Sequence, residues 1–171
     1  MMEQREIFTI GYGGRATDEF IALLKRYAID TLVDVRTQPY SKFNPDFTRS
    51  SLAKILARAG LNYAFMGDAL GGRPADETCF VAGKLNAARC EERDWYQRGI
   101  RDLKALAREQ HVAIMCSEKD PAHCHRSYVV GATVAKDASF AVTHIDKTGE
   151  LKTHAALEGE IKPHQLDMLS S

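Results

Sequence analysis

One short segment of the chain, CSEKDPAHCHR, holds most of its reactive side chains. It contains two thiols, Cys116 and Cys124, and the carboxylate of Glu118. His125 and Arg126 follow Cys124 directly. A thiol beside cations ionises more readily, an imidazole can serve as its base, and a guanidinium binds anions through parallel hydrogen bonds. The segment therefore predicts a reactive or anion-binding site.

Residue spacing separates three kinds of chemistry that this segment could support. A loop of the tyrosine-phosphatase type needs an arginine a few residues behind its cysteine, and Arg126 is too far from Cys116 and too close to Cys124. A zinc site usually draws on paired ligands such as C-x₂-C, whereas His123, Cys124 and His125 are consecutive. A nucleophilic Cys124 with a histidine base remains open. Cys116 is better explained as a small buried hydrophobe.

A second polar group lies in the segment LVDVRTQPYSKFNPDF. Asp34 and Arg36 alternate with apolar neighbours, so in a strand both point to the same face. Ionisable groups at a buried strand are costly unless they are paired or functional, which leaves a structural ion pair as a serious alternative. Ser41 lies in the following loop, where aromatic and cationic residues interleave. Such a loop can stack on nucleobases, or its aromatic residues can simply pin it to the protein.

Two glycine-rich turns complete the set of candidate binding residues. The first, GYGGR, contains Gly11, Tyr12, Gly13 and Arg15, and its glycines would let the backbone approach a ligand closely. It lacks the spacing of a dinucleotide or phosphate loop, so a plain tight turn is the better explanation of this motif alone. The second, GGRP, places Arg73 beside another glycine pair, either in a flexible loop over the same cleft or in a plain surface turn.

The elements that must position these residues follow from the apolar pattern. Short apolar runs (IFTIGYG, TLVDVR, LNYAF and VAIMC) alternate with amphipathic, helix-like segments. This alternation predicts a single α/β domain over residues 1–171, with a mostly parallel sheet and helices on both faces. We expect one helix from Cys124 to Ala135, and a C-terminal hairpin and helix over residues 140–171. Ligands of such sheets bind beyond the carboxyl ends of the strands, where most candidate residues fall.

Composition narrows the classes of function. The chain has 171 residues, and its 23 basic and 23 acidic side chains balance, which argues against a broad basic surface for duplex DNA. The N-terminus has no apolar core typical of a secretory signal, and no apolar run reaches membrane-spanning length. We therefore expect a cytoplasmic protein whose four cysteines are thiols rather than structural disulfides.

Four motifs in this order resemble the bacterial and archaeal domain-of-unknown-function family 488 (DUF488). They are TIGYGGR, LVDVRTQPYSKFNPDF, LNYAFMGDALGGRP and CSEKDPAHCHR, and the resemblance extends over about residues 7–135. It implies a small cytosolic α/β domain, but no reaction. It also implies that the following residues belong to the family pattern: Asp34, Arg36, Pro39, Ser41, Glu118, Cys124, His125 and Arg126.

Together these patterns predict one cleft that binds or processes a phosphate-containing ligand, as a hydrolase or transferase would. The candidate catalytic residues are Asp34, Glu118, Cys124 and His125. The candidate ligand-binding residues are Gly11, Tyr12, Gly13, Arg15, Arg36, Ser41, Arg73 and Arg126. The expected partner is a small anion, a nucleotide or single-stranded nucleic acid, with a divalent cation as a candidate cofactor and no metal ligand assigned. A non-catalytic binding module and a Cys/His metal or redox site are the alternatives.

Overall fold

A computed structural model describes residues 3–160 of the chain, in which six strands form one mixed sheet. The strands are β1 (Arg5–Gly11), β2 (Thr31–Asp34), β3 (Asn62–Phe65), β6 (Val112–Cys116), β7 (Phe140–Ile145) and β8 (Leu151–Thr153). Their order across the sheet is β3-β2-β6-β1-β7-β8. All neighbours pair in parallel except β7 and β8. A separate small hairpin consists of β4 (Phe80–Val81) and β5 (Lys84–Leu85).

The helices cover both faces of this sheet. They are α1 (Thr17–Arg26), α2 (Arg49–Arg58), α3 (Gly67–Leu70), α4 (Ala87–Glu91), α5 (Asp94–Glu109), α6 (Ala132–Ala135) and α7 (154–160). The predicted α/β fold with a mostly parallel sheet is therefore confirmed. Among residues 3–160, no helix is both long enough and apolar enough to cross a lipid bilayer.

The central strand β6 shows why the sheet takes this form. All five of its residues are buried, as expected for a parallel strand covered by helices on both sides. Ile114 contributes to the core beneath α5, whereas Met115 contributes to the core beneath α1 and α2. Because side chains alternate along a strand, Cys116 at its end belongs to the same core as Ile114.

The segment after β6 differs from the single helix predicted from Cys124 to Ala135. Cys124 is extended, and a wide π-helical turn spans Arg126–Gly131 before α6 begins. A Cβ atom on Gly131 would lie only 2.9 Å from the carbonyl oxygen of Arg126, so a larger residue would crowd the backbone of this turn. Apolar periodicity alone does not distinguish a π-helical turn from an α-helical one.

The predicted C-terminal hairpin is present as β7 and β8, and α7 follows it. The rest of the predicted C-terminal helix lies outside the described residues.

Sheet register brings three strand ends to one edge. Gly11 at the end of β1 pairs with Cys116 of β6, and Asp34 at the end of β2 pairs with Met115 of the same strand. The polar segments that follow these strands therefore leave the sheet side by side.

Candidate functional site

A cleft with a cavity volume of about 480 Å³ lies at this shared edge. The candidate residues that line it are Tyr12, Arg36, Arg73, Glu118, Cys124 and His125, together with Cys116. Gly11, Gly13, Arg15, Asp34, Ser41 and Arg126 do not line the cavity. The candidate set thus divides into residues that line the cleft and residues that do not.

The cleft contains a pair of cysteines. The sequence predicts four thiols, but the structure joins Cys116 and Cys124 as a disulfide, while Cys79 and Cys90 are free and buried. Cys116 ends β6, and the eight-residue separation lets the chain return and place Cys124 opposite it. Cys116 therefore packs into the core and also lines the cleft, although its sequence context suggests only a buried hydrophobe.

The loop from Cys116 to Cys124, here called the cysteine loop, packs closely against glycines in the turn after β1. A Cβ atom on Gly11 would overlap the carbonyl oxygen of Glu118, and one on Gly13 would lie 2.6 Å from the carbonyl oxygen of Ser117. The backbone amide of Gly13 donates a 2.9 Å hydrogen bond to that same Ser117 oxygen. In the structure, the close approach that these glycines allow is made by the protein's own cysteine loop.

His125 is fixed next to Cys124. Its Nε2 atom lies 3.1 Å from the carbonyl oxygens of both Val35 and Leu70. Because carbonyl oxygens only accept hydrogen bonds, Nε2 carries the proton and Nδ1 is a bare acceptor, 3.8 Å from the Cys124 sulfur. Burial lowers the pKa of His125 to about 4, so the ring is neutral at pH 7. A Cβ atom on Gly72 would lie 2.8 Å from Nδ1, so Gly72 leaves room for the ring.

Arg126 is completely buried behind the cysteine pair. Its Nη1 atom lies 3.1 Å from the Cys116 sulfur and donates a 2.6 Å hydrogen bond to the Glu118 carbonyl oxygen. Nη2 reaches the Lys119 carbonyl oxygen at 3.4 Å. Burial lowers the pKa of Arg126 to about 9, partly offset by the charge of Glu118, so the side chain remains cationic at neutral pH.

These contacts show how the loop differs from a phosphate-binding loop. Arg126 reaches Cys116 despite a sequence separation of 10 residues, which spacing alone did not predict. The loop directs two carbonyl oxygens at the guanidinium, whereas a phosphate cradle directs amide N–H groups at the anion. Arg126 therefore organises the cysteine loop.

Asp34 and Arg36 form the ion pair that the sequence left open. The guanidinium of Arg36 binds the fully buried carboxylate through contacts of 2.7 and 2.9 Å, and the hydroxyl of Tyr63 donates to the same carboxylate at 2.6 Å. Burial alone would lower the pKa of Arg36, but the hydrogen bond and charge of Asp34 outweigh it, and that pKa is raised. Arg36 also lies over the ring of Tyr12. Asp34 thus holds Arg36 at the cleft wall.

Arg15 lies outside the cleft. Its Nε atom donates a 2.9 Å hydrogen bond to the Gly11 carbonyl oxygen, and its Nη1 atom pairs with Glu19 at 3.1 Å. A further hydrogen bond reaches the carbonyl oxygen of Asp146, which follows β7. Arg15 therefore connects the ends of β1 and β7.

The loop between β2 and α2 forms the rim of the cleft. Phe47 is buried and stacks on Tyr12, with ring centroids 4.3 Å apart. The side chain of Ser41 accepts a hydrogen bond from the amide of Asn44 and so shapes the loop tip. Tyr40 and Phe43 remain 68% and 96% exposed, and Tyr40 lines the cavity. The loop is anchored at its base and displays aromatic rings at its tip.

Arg73 is exposed at the opposite rim, where its backbone amide donates a 2.9 Å hydrogen bond to Thr37. Within residues 3–160, no cluster of three or more His, Cys, Asp or Glu side chains is arranged to hold a metal ion.

Sequence reasoning missed three polar residues behind Arg126. Thr9, His144 and His154 are buried on β1, on β7 and at the start of α7. The available signal was the presence of polar residues in apolar strand segments, TIG and FAVTHI, where a buried polar group requires a partner.

Comparisons with known proteins identify a family but no activity. The model of the family described as "Domain of unknown function DUF488" matches residues 16–133. No match was found among curated proteins. Among solved structures, the chain is similar to a putative phosphatase (DUF442) from Shewanella putrefaciens CN-32, at 13% identity and a TM-score of 0.35. That similarity covers 68% of this chain and 57% of the other, so it spans little more than half of the relative.

Proposed function

Because the chain belongs to the DUF488 family, whose description assigns no activity, we propose a function from the geometry of the cleft. The protein is a thiol–disulfide oxidoreductase in which Cys116 and Cys124 alternate between dithiol and disulfide. The observation that carries this proposal is that both sulfurs meet in the cleft, each next to a polar partner. Arg126 Nη1 lies 3.1 Å from Cys116, and His125 Nδ1 lies 3.8 Å from Cys124.

Arg126 and His125 give the two cysteines different roles. A guanidinium favours the thiolate of Cys116, which attacks a substrate disulfide R–S–S–R′ and expels R–S⁻. Cys124, whose sulfur lies next to His125 Nδ1, then passes its proton through that nitrogen to the released R–S⁻ and attacks the sulfur of Cys116. The second attack releases R′–S⁻ and closes the Cys116–Cys124 disulfide. Two electrons pass from the protein to the substrate, and the reverse sequence oxidises a dithiol.

A redox titration tests this proposal. The full-length protein is equilibrated with glutathione buffers of graded potential, its thiols are trapped, and each cysteine is quantified by mass spectrometry. We expect Cys116 and Cys124 to become protected together, as a single two-electron transition. If both cleft cysteines are alkylated as free thiols at every potential, the proposal fails.

Single cleft variants and a buried control sharpen that titration. Cys124→Ser should accumulate a mixed disulfide between Cys116 and glutathione, because the resolving thiol is missing. Cys79→Ala and Cys90→Ala remove the two free buried cysteines and should leave the titration unchanged. A transition that instead follows Cys79 or Cys90 would place the redox chemistry outside the cleft.

A second candidate function is the binding of a phosphate-containing ligand such as a nucleotide, and the rim of the cleft supports it. Arg36, Arg73 and Tyr40 line the cavity, and the ring of Tyr40 is exposed. A guanidinium binds phosphate, and an aromatic ring can stack on a base. Such a ligand could itself carry the sulfur on which the cysteines act.

Calorimetric titration with inorganic phosphate and with adenosine monophosphate tests this second candidate. We expect the nucleotide to bind at least about tenfold more tightly than phosphate, because base stacking contributes roughly 1–3 kcal/mol. Tyr40→Ala should remove that preference, and Arg73→Ala should weaken both ligands. The exposed Arg101 on α5 provides the control, and Arg101→Ala should change neither affinity. Equal binding by the Arg73→Ala variant would exclude this site.

A further inference from the structure

A continuous line of buried polar side chains runs from Arg126 towards the surface of α7. Arg126 Nε lies 3.3 Å from Thr9 Oγ1, which lies 2.7 Å from His144 Nδ1. His144 Nε2 then lies 2.9 Å from His154 Nδ1, and His154 Nε2 lies 3.5 Å from a carboxylate oxygen of Glu158. Thr9 and His144 are fully buried, whereas the Glu158 side chain is 49% exposed.

The hydrogens in this line can be assigned from one end. Arg126 can only donate, so Thr9 Oγ1 accepts, and the Thr9 hydroxyl hydrogen is free to point at His144 Nδ1. We assign His144 Nδ1 as the acceptor of the Thr9 hydroxyl, with Ser127 Oγ 3.4 Å from the same nitrogen. The His144 proton in this assignment lies on Nε2, which donates to His154 Nδ1. The proton of His154 therefore lies on Nε2 and faces Glu158. The three hydrogen bonds from Arg126 to His154 then run in the same direction, and the 3.5 Å contact between His154 Nε2 and Glu158 extends the line to the surface carboxylate.

The charge states of the two histidines agree with this assignment. Burial, reinforced by the neighbouring His154 and by Arg126, lowers the pKa of His144 to about 3. Burial also lowers the pKa of His154, although the charge of Glu158 opposes that effect. Both rings are therefore neutral near pH 7, and each has one donor and one acceptor nitrogen.

The cation at the buried end of this line is the guanidinium of Arg126. In the part of the chain that the structure describes, Arg126 forms no ion pair with a carboxylate, and its contacts are carbonyl oxygens, the Thr9 hydroxyl and the Cys116 sulfur. A buried charge is costly unless an opposite charge or several hydrogen bonds compensate it. A thiolate on Cys116 would supply the missing negative charge whenever the cysteine pair is reduced.

We propose that Thr9, His144 and His154 are positioning residues, which hold Arg126 against Cys116 and thereby stabilise the Cys116 thiolate. This inference rests on the proposed thiol chemistry. It assigns a functional role to residues that lie outside the cleft, and it makes the reactivity of Cys116 depend on Glu158 at the protein surface.

Other charged groups also face this line and enter its pH dependence. Arg15, Glu118 and Asp120 act on Arg126, and Lys152 acts on His144. None of these four groups takes part in the side-chain contacts of the line, so they remain constant in the variants described below.

The test is the pH profile for alkylation of Cys116 by iodoacetamide, measured in the reduced Cys124→Ser protein. Thr9→Val removes the hydroxyl at nearly constant volume, and Thr9→Ser retains it. We expect Thr9→Val to move the midpoint of the profile upward by about one pH unit, which is roughly a tenfold lower rate below the midpoint. Thr9→Ser should retain the original profile. An unchanged profile in the Thr9→Val variant would overturn the proposal.

Two further measurements do not require a buried substitution. Glu158→Gln, on the exposed face of α7, should shift the same profile upward by a smaller amount. Nitrogen NMR of the unmodified protein should show the hydrogen of both His144 and His154 on Nε2. A proton on Nδ1 of His144 would reverse the direction of the line and overturn the proposal.

The outcomes also separate this inference from the redox function. If Cys116 and Cys124 never interconvert with a disulfide, yet Thr9→Val shifts the alkylation profile, the positioning role holds and the oxidoreductase proposal fails. If the pair interconverts normally and Thr9→Val has no effect, the oxidoreductase proposal holds and the positioning role fails.

Discussion

The protein contains two pairs of cysteines in opposite environments. Cys116 and Cys124 are joined in the cleft, beside a guanidinium and an imidazole. Cys79 and Cys90 are both free and buried, and the pKa of Cys90 is raised to about 12 by burial and by the neighbouring Cys79. Residue type and burial are the same in both pairs. We infer from this comparison that the charged and polar neighbours, rather than the cysteines themselves, give the two pairs different reactivity.

The largest expected effect comes from removing the cation that distinguishes the cleft pair. Arg126→Met leaves the carbonyl oxygens of Glu118 and Lys119 without their donor and removes the partner of Cys116. We expect the free energy of unfolding to fall by about 3 kcal/mol or more, measured by urea denaturation. Arg101→Met, at an exposed site on α5, should cost less than about 0.5 kcal/mol. Similar losses in both variants would show that Arg126 does not organise the loop.

Competitive alkylation compares the two pairs within one molecule. In the reduced native protein at pH 7, we expect Cys116 to react at least about a hundredfold faster than Cys90, because the thiolate is the reactive form. Mass spectrometry of a time course resolves the individual sites. Comparable rates at the two cysteines would remove the proposed difference between the pairs.

Gly11→Ala disturbs the cleft pair and leaves the other pair intact. The added Cβ atom would overlap the Glu118 carbonyl oxygen, which is backbone and cannot move without displacing the cysteine loop. We expect a loss of about 2 kcal/mol in the free energy of unfolding and slower closure of the Cys116–Cys124 disulfide. Gly159→Ala is the control, because a Cβ atom on Gly159 would meet no atom within 4 Å. Normal disulfide closure in the Gly11→Ala variant would contradict this role.

The last prediction concerns the pH dependence of the free energy of unfolding. The folded protein holds His125 and His144 at pKa values of about 4 and about 3, below the ordinary value of 6.5. Below pH 6.5 the unfolded chain therefore binds protons that the folded chain does not, and stability falls as the pH decreases. The expected slope is up to about 1.4 kcal/mol per pH unit for each histidine.

Urea denaturation between pH 7 and pH 4 measures that slope. His125→Gln should flatten it, whereas His111→Gln, at an exposed position, should retain it. An unchanged slope in the His125→Gln variant would show that the ring beside Cys124 is not held neutral by burial.

Much of the fold can be predicted from the sequence. Apolar runs such as VAIMC have the length and composition of buried parallel strands, and the amphipathic segments between them supply helices for both faces. The polar residues that follow these strands in sequence therefore lie at one edge of the sheet, as the pairing of Gly11 with Cys116 confirms.

The orientation of individual side chains could not be predicted in this way. Arg126 follows Cys124 in a segment that looks suited to anions, yet its guanidinium is buried and binds carbonyl oxygens. That orientation depends on the close packing of the cysteine loop against Gly11 and Gly13, which are distant in sequence. The contacts of Thr9 with His144 likewise depend on the pairing of β1 with β7. Local spacing carries no information about such long-range contacts.

The anchoring of the rim loop by Phe47 has an evolutionary consequence. The buried ring and the hydrogen bond from the Arg49 amide to the Pro39 carbonyl oxygen fix the base of the loop, while Tyr40 and Phe43 project from its tip. Substitutions at the tip can therefore accumulate without disturbing the packing around Tyr12 or the cysteine pair. The tip and the cysteine pair are in this way free to change independently of each other.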